Sequence, residues 1–504
     1  MSSWLSEREQ MLVEGAEKNS LDLPIPTQIV SNGEYLPPKQ SNLQKKVENR
    51  MLELAEENAK HLGLSRRQFL QTSCGMATAF LAMNEIYGGG VFNVSKAEAR
   101  DPELTLARTN ELSGQFIFDD QTHFLRDDFP HDAILGLGEF AAEHWNPKLK
   151  EEGLSLTRYK FENYIAELWY RSDTKMALLS GAPFDDPTWW LLGNDQIVAA
   201  RDMVNDFAGT TRLLGHSVIT PGQDGWMDEV DRAITELKPN SWKSYTIGDP
   251  LSPSKYPWRL DDEKLMYPFY EKSLKAGINT ICIHKGLLPP DYETSFKGVW
   301  KYATVDDLPK AAKDWPEMNF VIYHSALRPF LELPDQAWKE FEESGGYIKW
   351  ASDLARIPEE HGVSNVYGEI GSTFANSAVA HPRFCAAFIS TLVKGLGADH
   401  VVWGTDTVWY GSPQWQIEAM RRLEVPEDMQ KKYKLPALGG ANSLTKQAIF
   451  GLNSARIYGL SMNEATNMPN LPAFSEDKIA GLATKFREAG GGPSNKRFGY
   501  VRKA

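Results

Sequence analysis

The chain has 504 residues, a formal net charge of −13 and 42% hydrophobic residues. This hydrophobic fraction suffices for a large core, and the acidic balance argues against a nucleic-acid partner, whose phosphates attract basic residues. No apolar run is long enough to span a bilayer. The three cysteines are too few for a disulfide framework, and we expect Cys282 and Cys385 to be buried thiols.

The N-terminal region, residues 1–99, is predicted to be an extension ahead of the main domain. It begins with a polar stretch without periodicity, and residues 41–62 then have the pattern of a charged amphipathic helix. Arg66 and Arg67 precede a modest apolar stretch, and a small-residue site ends at Ala99. This arrangement resembles a twin-arginine signal, which predicts cleavage after Ala99 and export to the periplasm by the twin-arginine machinery. The alternative is a short amphipathic helix in a cytoplasmic protein, and the unusually long stretch before the arginines favours it.

Residues 100–460 are predicted to form the main domain, in which short β-rich runs alternate with helical patterns. This alternation is typical of βα units around a parallel sheet. An open doubly wound sheet is the alternative fold, but no Gly-rich phosphate-binding turn follows the first strand. We therefore predict an α/β fold, a (β/α)8 TIM barrel, followed by a C-terminal tail over residues 461–504. The eight candidate strands are QFIFDD, KMALLSG, RLLGHSVI, SWKSYTI, NTICIH, NFVIYHS, NVYGEIG and HVVWGTD.

Polar side chains fall at the ends of several candidate strands, where the loops of a barrel build the active site. Neutral imidazole and carboxylate groups are the ligands that Zn²⁺ and similar cations select. For each histidine alone, a structural role at the end of a strand is the simpler interpretation, but three histidines and an aspartate at one rim together favour a metal site. The residues in question are Gln121, His123, Lys243, His284, His324, Arg328 and Asp406.

The motifs FDDQTHF, CIHKG, VIYHSA, WGTDTVW and GLNSARIYGL, in this order, resemble those of the amidohydrolase-related proteins, the group that includes aminocarboxymuconate-semialdehyde decarboxylase. The resemblance implies a barrel of the metal-dependent hydrolase type with one divalent metal at its mouth. It implies His123, His284 and Asp406 as metal ligands, and His324 as a further ligand or as an acid/base. Many members have His-x-His on the first strand, so Gln121 is either a weak ligand or a neighbour of the ligands.

The main functional hypothesis is a metal-dependent hydrolase with one divalent ion, Zn²⁺ or alternatively Mn²⁺. Metal-bound water would attack a small carboxylate, amide or lactone substrate, with cyclic and aromatic compounds among the candidates, and Asp406 would accept the proton of the water. His324 would either polarise the carbonyl under attack or protonate the leaving group. Arg328 and Lys243 are expected to bind a substrate carboxylate, with a solvated surface cation as the alternative for each. A decarboxylase of the same family is the first alternative, and a non-catalytic exported binding protein on a decayed barrel is the second.

Two further expectations concern the surroundings of the site. The aromatic residues near the strand ends are candidates for an apolar wall against the substrate, although interior packing explains each of them equally well. Many barrels of this kind pair, so a homodimer remains open. The aromatic candidates are Trp242, Tyr245, Trp403, Trp409 and Tyr410.

Overall fold

A computed structural model describes residues 23–492, apart from residues 33, 36, 127–158, 250–251, 289–291, 329–333, 464–467, 470–473 and 475. Its centre is an eight-stranded sheet in which every strand pairs in parallel with the next along the chain. A separate antiparallel pair is formed by β9 (Met462–Asn463) and β10 (Met468–Pro469). The eight strands are β1 (Phe118–Thr122), β2 (Met176–Leu179), β3 (Leu213–Val218), β4 (Ser241–Tyr245), β5 (Thr280–His284), β6 (Asn319–Tyr323), β7 (Val366–Glu369) and β8 (Val401–Val402).

Hydrogen bonds between β1 and the segment after β8 bring the two edges of this sheet together. The backbone N–H of Asp120 donates to the carbonyl of Trp403 at 2.8 Å, and the N–H of His123 donates to that of Thr407 at 2.6 Å. The Asp119 carboxylate adds a side-chain link, because it accepts the backbone N–H of Thr405 at 2.9 Å. The predicted (β/α)8 barrel is therefore confirmed. Seven of its eight strands lie within a predicted run, and β1 begins within QFIFDD but ends two residues beyond it.

Helices surround the barrel, and most present one apolar face to it. The helix Pro382–Leu396 shows why: Phe384, Phe388 and Leu392 recur every four residues and are all buried. The described α-helices are Asn42–His61, Arg66–Leu70, Ser73–Tyr87, Pro102–Leu112, Phe161–Ile165, Asn194–Ala208, Trp226–Arg232, Tyr267–Lys275, Tyr292–Ser295, Leu308–Asp314, Pro334–Glu343, Ala351–His361, Thr373–Ala380, Pro382–Leu396, Gln414–Arg422, Glu427–Tyr433, Leu444–Gln447, Asn453–Ile457 and Lys478–Glu488.

The N-terminal extension packs on the barrel rather than standing apart from it. The amphipathic helix predicted for residues 41–62 is present as Asn42–His61, and its apolar face is buried. Ahead of it, Ile25, Ile29 and Val30 are at most 1% exposed and join the same hydrophobic core as the barrel helices. Burying side chains of this size contributes about 1.5–3 kcal/mol each before the entropy of ordering the chain is counted.

The predicted signal region forms two helices with buried apolar residues. Arg66 begins the first, which is capped by Ser65, and Phe80 in the second is 1% exposed. Within the described ranges, no helix combines the length and the apolar character needed to cross a bilayer. Export and cleavage stay predictions.

Two other predictions concern the cysteines and the tail. Cys74, Cys282 and Cys385 are free and buried, so the prediction of buried thiols is confirmed for the latter two. In the predicted tail, the helix Lys478–Glu488 is present, while residues 493–504 lie outside the described part of the chain.

Candidate active site at the barrel mouth

The strand-end residues meet at the carboxyl end of the barrel. His284 is the last residue of β5, and His123 and His324 directly follow β1 and β6. Asp406 lies four residues beyond β8, where its positive φ of 57° turns the chain towards the barrel axis. All four side chains are at most 3% exposed. Residues that are far apart along the chain thus form one buried polar cluster.

The amide of Gln121 occupies the middle of one half of this cluster. Its Nε2 lies 3.5 Å from Nε2 of His123, 3.5 Å from Nε2 of His324 and 3.3 Å from Oδ1 of Asp406. Its Oε1 is buried without a hydrogen-bond partner among the described residues. Since a rotation of the amide exchanges Nε2 and Oε1, Gln121 can present its oxygen to the space that these three groups share.

Backbone carbonyls fix the orientation of two of the imidazoles. Nδ1 of His123 donates to the carbonyl of Ser180 at 2.7 Å, and Nδ1 of His324 donates to that of Gly371 at 2.8 Å. Each ring in its neutral form therefore directs the lone pair of Nε2 into the cluster. Burial lowers the pKa of His324 to about 4, so this ring is neutral at pH 7. These are the properties of metal-binding histidines.

Asp406 is held as a carboxylate by bonds to both of its oxygens. Oδ2 accepts from Nδ2 of Asn32 at 3.0 Å and from the hydroxyl of Ser372 at 2.5 Å, while Oδ1 lies 3.2 Å from Nε2 of His123. Burial opposes ionisation of Asp406, but the bonds to His123 and Ser372 outweigh it and lower its pKa to about 2. A lone pair of His123 facing this carboxylate at 3.2 Å requires a proton or a cation between the two groups.

Glu34, in the N-terminal segment, lies on the side of the cluster that contains His284. Its Oε1 lies 3.9 Å from Nδ1 of His284 and accepts the hydroxyl of Tyr245 at 2.8 Å, and its Oε2 accepts from Asn32 at 2.9 Å. One ligand atom from each of Glu34, His284 and His324 lies within 4.8 Å of the other two. Burial and the nearby charge of Asp406 raise the pKa of Glu34 to about 7.

The donor set of this cluster fits a divalent cation. His284 has a buried Nδ1 without a hydrogen-bond partner among the described residues, and Gln121 has an unpaired Oε1. With the lone pairs of His123 and His324 and the carboxylates of Asp406 and Glu34, the cluster offers imidazole nitrogens and carboxylate oxygens around one small space.

Comparison with known proteins finds a family to which part of the barrel is similar. Residues 215–460 match the protein family described as amidohydrolase. His284, His324 and Asp406 lie within the matched region, whereas Gln121 and Glu34 precede it. No curated protein matches the chain.

Several solved structures are similar to this chain over nearly the whole of their own length. The 2,6-dihydroxybenzoate decarboxylase from Rhizobium has 13% identity and a TM-score of 0.40, covering 68% of this chain and 99% of its own. The 5-carboxyvanillate decarboxylase from Sphingomonas paucimobilis has 16% identity and a TM-score of 0.36, covering 69% and 100%. The dihydroxybenzoic acid decarboxylase from Polaromonas sp. JS666, with bound manganese and the inhibitor 2-nitroresorcinol, has 13% identity and a TM-score of 0.41, covering 70% and 99%.

The two cationic side chains predicted to bind substrate, Lys243 and Arg328, differ in position within the barrel. Lys243 on β4 points into the barrel, where its Nζ lies 3.5 Å from the centre of the Tyr323 ring and has no hydrogen-bond partner among the described residues. Burial lowers the pKa of Lys243 to about 8. Arg328 instead pairs with Glu293, its Nε donating to Oε1 at 3.0 Å and its Nη2 to Oε2. The structure therefore commits the guanidinium of Arg328 to a protein carboxylate and does not bring it to the ligand cluster.

The predicted aromatic wall divides into site residues and core residues. Tyr245 stacks on His284 with ring centres 4.2 Å apart, and Tyr410 donates to Ser372 at 2.6 Å. The other three pack in the interior, where Trp242 contacts Phe269, Trp403 contacts Phe374 and Phe450, and Trp409 contacts Tyr159.

Glu369 and Asn32 are site residues that the sequence interpretation missed. Glu369 ends β7, and its Oε2 accepts the backbone N–H of His324 at 3.0 Å, which supports the positive φ of 63° there. The position of Glu369 at the end of the run NVYGEIG was a usable signal, because the same strand-end rule found His284. Asn32 and Glu34 lie in a polar stretch without periodicity, where the sequence carries no comparable signal.

Proposed function

We propose that this protein is a metal-dependent decarboxylase, a carbon–carbon lyase that acts on a small cyclic or aromatic carboxylate. The match of residues 215–460 to the amidohydrolase family supports an enzyme. The observation that favours a lyase over a hydrolase is the surroundings of Asp406. A hydrolase of the expected kind would use Asp406 as the base that accepts a proton from water. Its Oδ2 already accepts from Asn32 and Ser372, and its Oδ1 lies 3.2 Å from Nε2 of His123, so the carboxylate is suited to share a cation with His123 and poorly suited to take up a proton.

In this proposal His123, His284 and Asp406 hold the cation, with the Gln121 amide as a weaker neighbouring ligand. The mixed nitrogen and oxygen donors suit Zn²⁺ and Mn²⁺ alike. When bound, the ion supplies a positive charge that holds the carboxylate of the substrate and an adjacent oxygen.

Lys243 is the proposed source of the proton that replaces carbon dioxide. The bond between the ring carbon and the carboxylate breaks, its electron pair stays on the carbon, and CO₂ leaves. The ammonium group of Lys243 then donates a proton to that carbon and regains one from water. This ammonium group is buried with no hydrogen-bond partner among the described residues, and its lowered pKa makes it a stronger acid than an exposed lysine.

The test uses the full-length chain loaded with Mn²⁺ or Zn²⁺ and two panels of compounds. Hydroxylated benzoates and other cyclic carboxylates are assayed for CO₂ release, and amides and lactones are assayed for hydrolysis. In D₂O the decarboxylation product should carry one deuterium at the carbon that lost CO₂. Hydrolysis without CO₂ release, or turnover that a chelator leaves unchanged, would refute the proposal.

A further inference from the structure

The N-terminal segment, residues 23–40, lies across the mouth of the barrel and is attached to it by side-chain hydrogen bonds. The backbone N–H of Val30 donates to Oδ1 of Asn376 at 3.0 Å, and Nδ2 of Asn376 donates to the hydroxyl of Tyr35 at 2.7 Å. That hydroxyl also lies 3.3 Å from the hydroxyl of Tyr410. Val30 and Tyr35 are buried and lie on either side of Glu34 and Asn32. The segment is therefore fixed in place at the residues that reach the site.

Asn32 links the segment to the predicted ligand Asp406. Its Nδ2 donates to Oδ2 of Asp406 at 3.0 Å and to Oε2 of Glu34 at 2.9 Å, so one amide holds the two carboxylates side by side. The other oxygen of Glu34 remains directed at His284. A pair of carboxylates brought together in a buried site is costly unless a proton or a cation shares them.

The positions of Glu34, His284 and His324 suit a shared ion. Ligand atoms at about 2.0–2.2 Å from one tetrahedral Zn²⁺ lie about 3.3–3.6 Å apart. The three candidate ligand atoms lie within 4.8 Å of one another, so inward movements of up to about 1 Å would place them around one ion. Nδ1 of His284 has no hydrogen-bond partner among the described residues and faces Glu34.

Charge balance gives a second reason for a carboxylate at this place. Gln121 is neutral and His123, His284 and His324 are neutral as ligands, so Asp406 alone would offset only half of the charge of a divalent ion. Glu34 supplies the second negative charge.

We propose that Glu34 is a metal ligand contributed by the N-terminal segment, and that residues 23–99 therefore remain part of the working protein. This inference rests on the metal site of the proposed function. It disagrees with the predicted removal of residues 1–99, because cleavage after Ala99 would take a ligand away from the site.

Glu34→Gln in the full-length chain tests the ligand role directly. Tyr245 and Asn32 donate to different oxygens of Glu34, so the single amide oxygen of glutamine keeps one of these two hydrogen bonds, and the change removes one negative charge and one acceptor. The dissociation constant for Mn²⁺ and Zn²⁺, measured by competition with a chelator, should rise at least tenfold. Glu53→Gln, at a side chain that is 63% exposed on the helix Asn42–His61, removes the same charge and should leave metal affinity unchanged. Unfolding temperatures of the metal-free proteins check that each variant is folded.

Glu34→Asp gives a second measurement should the glutamine variant fold poorly. It keeps the negative charge but places it one methylene further from the proposed ion. Its metal affinity should lie between those of the wild type and Glu34→Gln. Equal metal affinity in the wild type and in whichever Glu34 variant is folded would overturn the ligand role while leaving the proposed function intact. A wild-type chain that binds no metal would overturn both.

Intact-mass measurement of the protein recovered from the cells that produce it tests the second part of the proposal. The metal-containing form should include residues 23–99. A metal-containing form that begins after Ala99 would overturn the proposal.

Discussion

The central position of Gln121 makes Gln121→Glu the most informative single change. This substitution has the same shape but puts a carboxylate where the amide lies 3.3 Å from Oδ1 of Asp406. At an effective dielectric constant of about 20, two unit charges at that distance repel each other by about 5 kcal/mol. Proton uptake limits this cost, because protonating a glutamate of ordinary pKa at pH 7 requires only about 3.7 kcal/mol.

We therefore expect metal-free Gln121→Glu to lose about 3–4 kcal/mol of unfolding free energy at pH 7. The new carboxyl has a raised pKa in the folded state, so the loss should vanish below pH 4 and grow as the pH rises above that value. A divalent ion between the two carboxylates removes the repulsion, and the affinity for Mn²⁺ should rise at least tenfold.

Urea unfolding with and without Mn²⁺, together with calorimetric titration of the metal, measures both effects. Gln416→Glu is the matched control, because Gln416 is also fully buried but its amide donates to the carbonyl of Thr405. It should lower stability without tightening metal binding. If Gln121→Glu binds Mn²⁺ no more tightly than the wild type, Gln121 does not border the metal and the arrangement proposed for the site is wrong.

Three further predictions concern the other residues of the site. Lys243→Met should lower the rate of CO₂ release at least 100-fold, while the dissociation constant for metal stays within a factor of three. The wild-type rate should fall as the pH rises through about 8, because only the ammonium form of Lys243 donates a proton. A rate that increases through pH 8 would contradict this role. Asp406→Asn should weaken metal binding at least 100-fold in the chelator assay, and unchanged affinity would remove Asp406 from the ligand set. Arg328→Met should cost about 1–3 kcal/mol of stability, because Glu293 loses two hydrogen bonds from the guanidinium and keeps the contact with Nζ of Lys349 at 3.4 Å. Metal affinity should stay unchanged, and a stability equal to that of the wild type in urea would show that the pair with Arg328 contributes nothing.

The barrel and the strand-end histidines could be predicted because both depend on short-range patterns. Alternating strands and helices are visible within windows of about ten residues, and a parallel barrel puts the carboxyl ends of its strands at one mouth. His123, His284, His324 and Asp406 follow from this rule without any knowledge of the loops. The same rule, applied to β7, would have found Glu369.

The directions in which the side chains of Lys285 and Arg328 point could not be predicted from their positions in the sequence alone. Lys285 directly follows His284 but turns away from the mouth, where its Nζ lies 3.0 Å from Oδ1 of Asp307. Arg328 similarly pairs with Glu293. Both partners come from loops that follow β5, and the sequence gives no local indication of how those loops return to the strand ends.

Glu34 could not be found because its neighbours in space are remote in sequence. Its segment has no periodicity, and the hydrogen bond between Asn32 and Asp406 joins residues 374 positions apart. Contacts of this kind depend on the shape of the finished barrel mouth. A polar stretch at the start of a chain gives no sign of such a contact.

The separation of Asn32 from Asp406 also sets the order of events during biosynthesis. At about 5–20 residues per second, roughly 20–75 s pass between synthesis of the two residues. Throughout that interval Ile25, Ile29 and Val30 have no barrel to cover, and they remain available to chaperones or to other nascent chains. In the proposed site, capture of the ion by Glu34 and Asp406 together is then a late step, because it requires both the first-made segment and the end of the barrel.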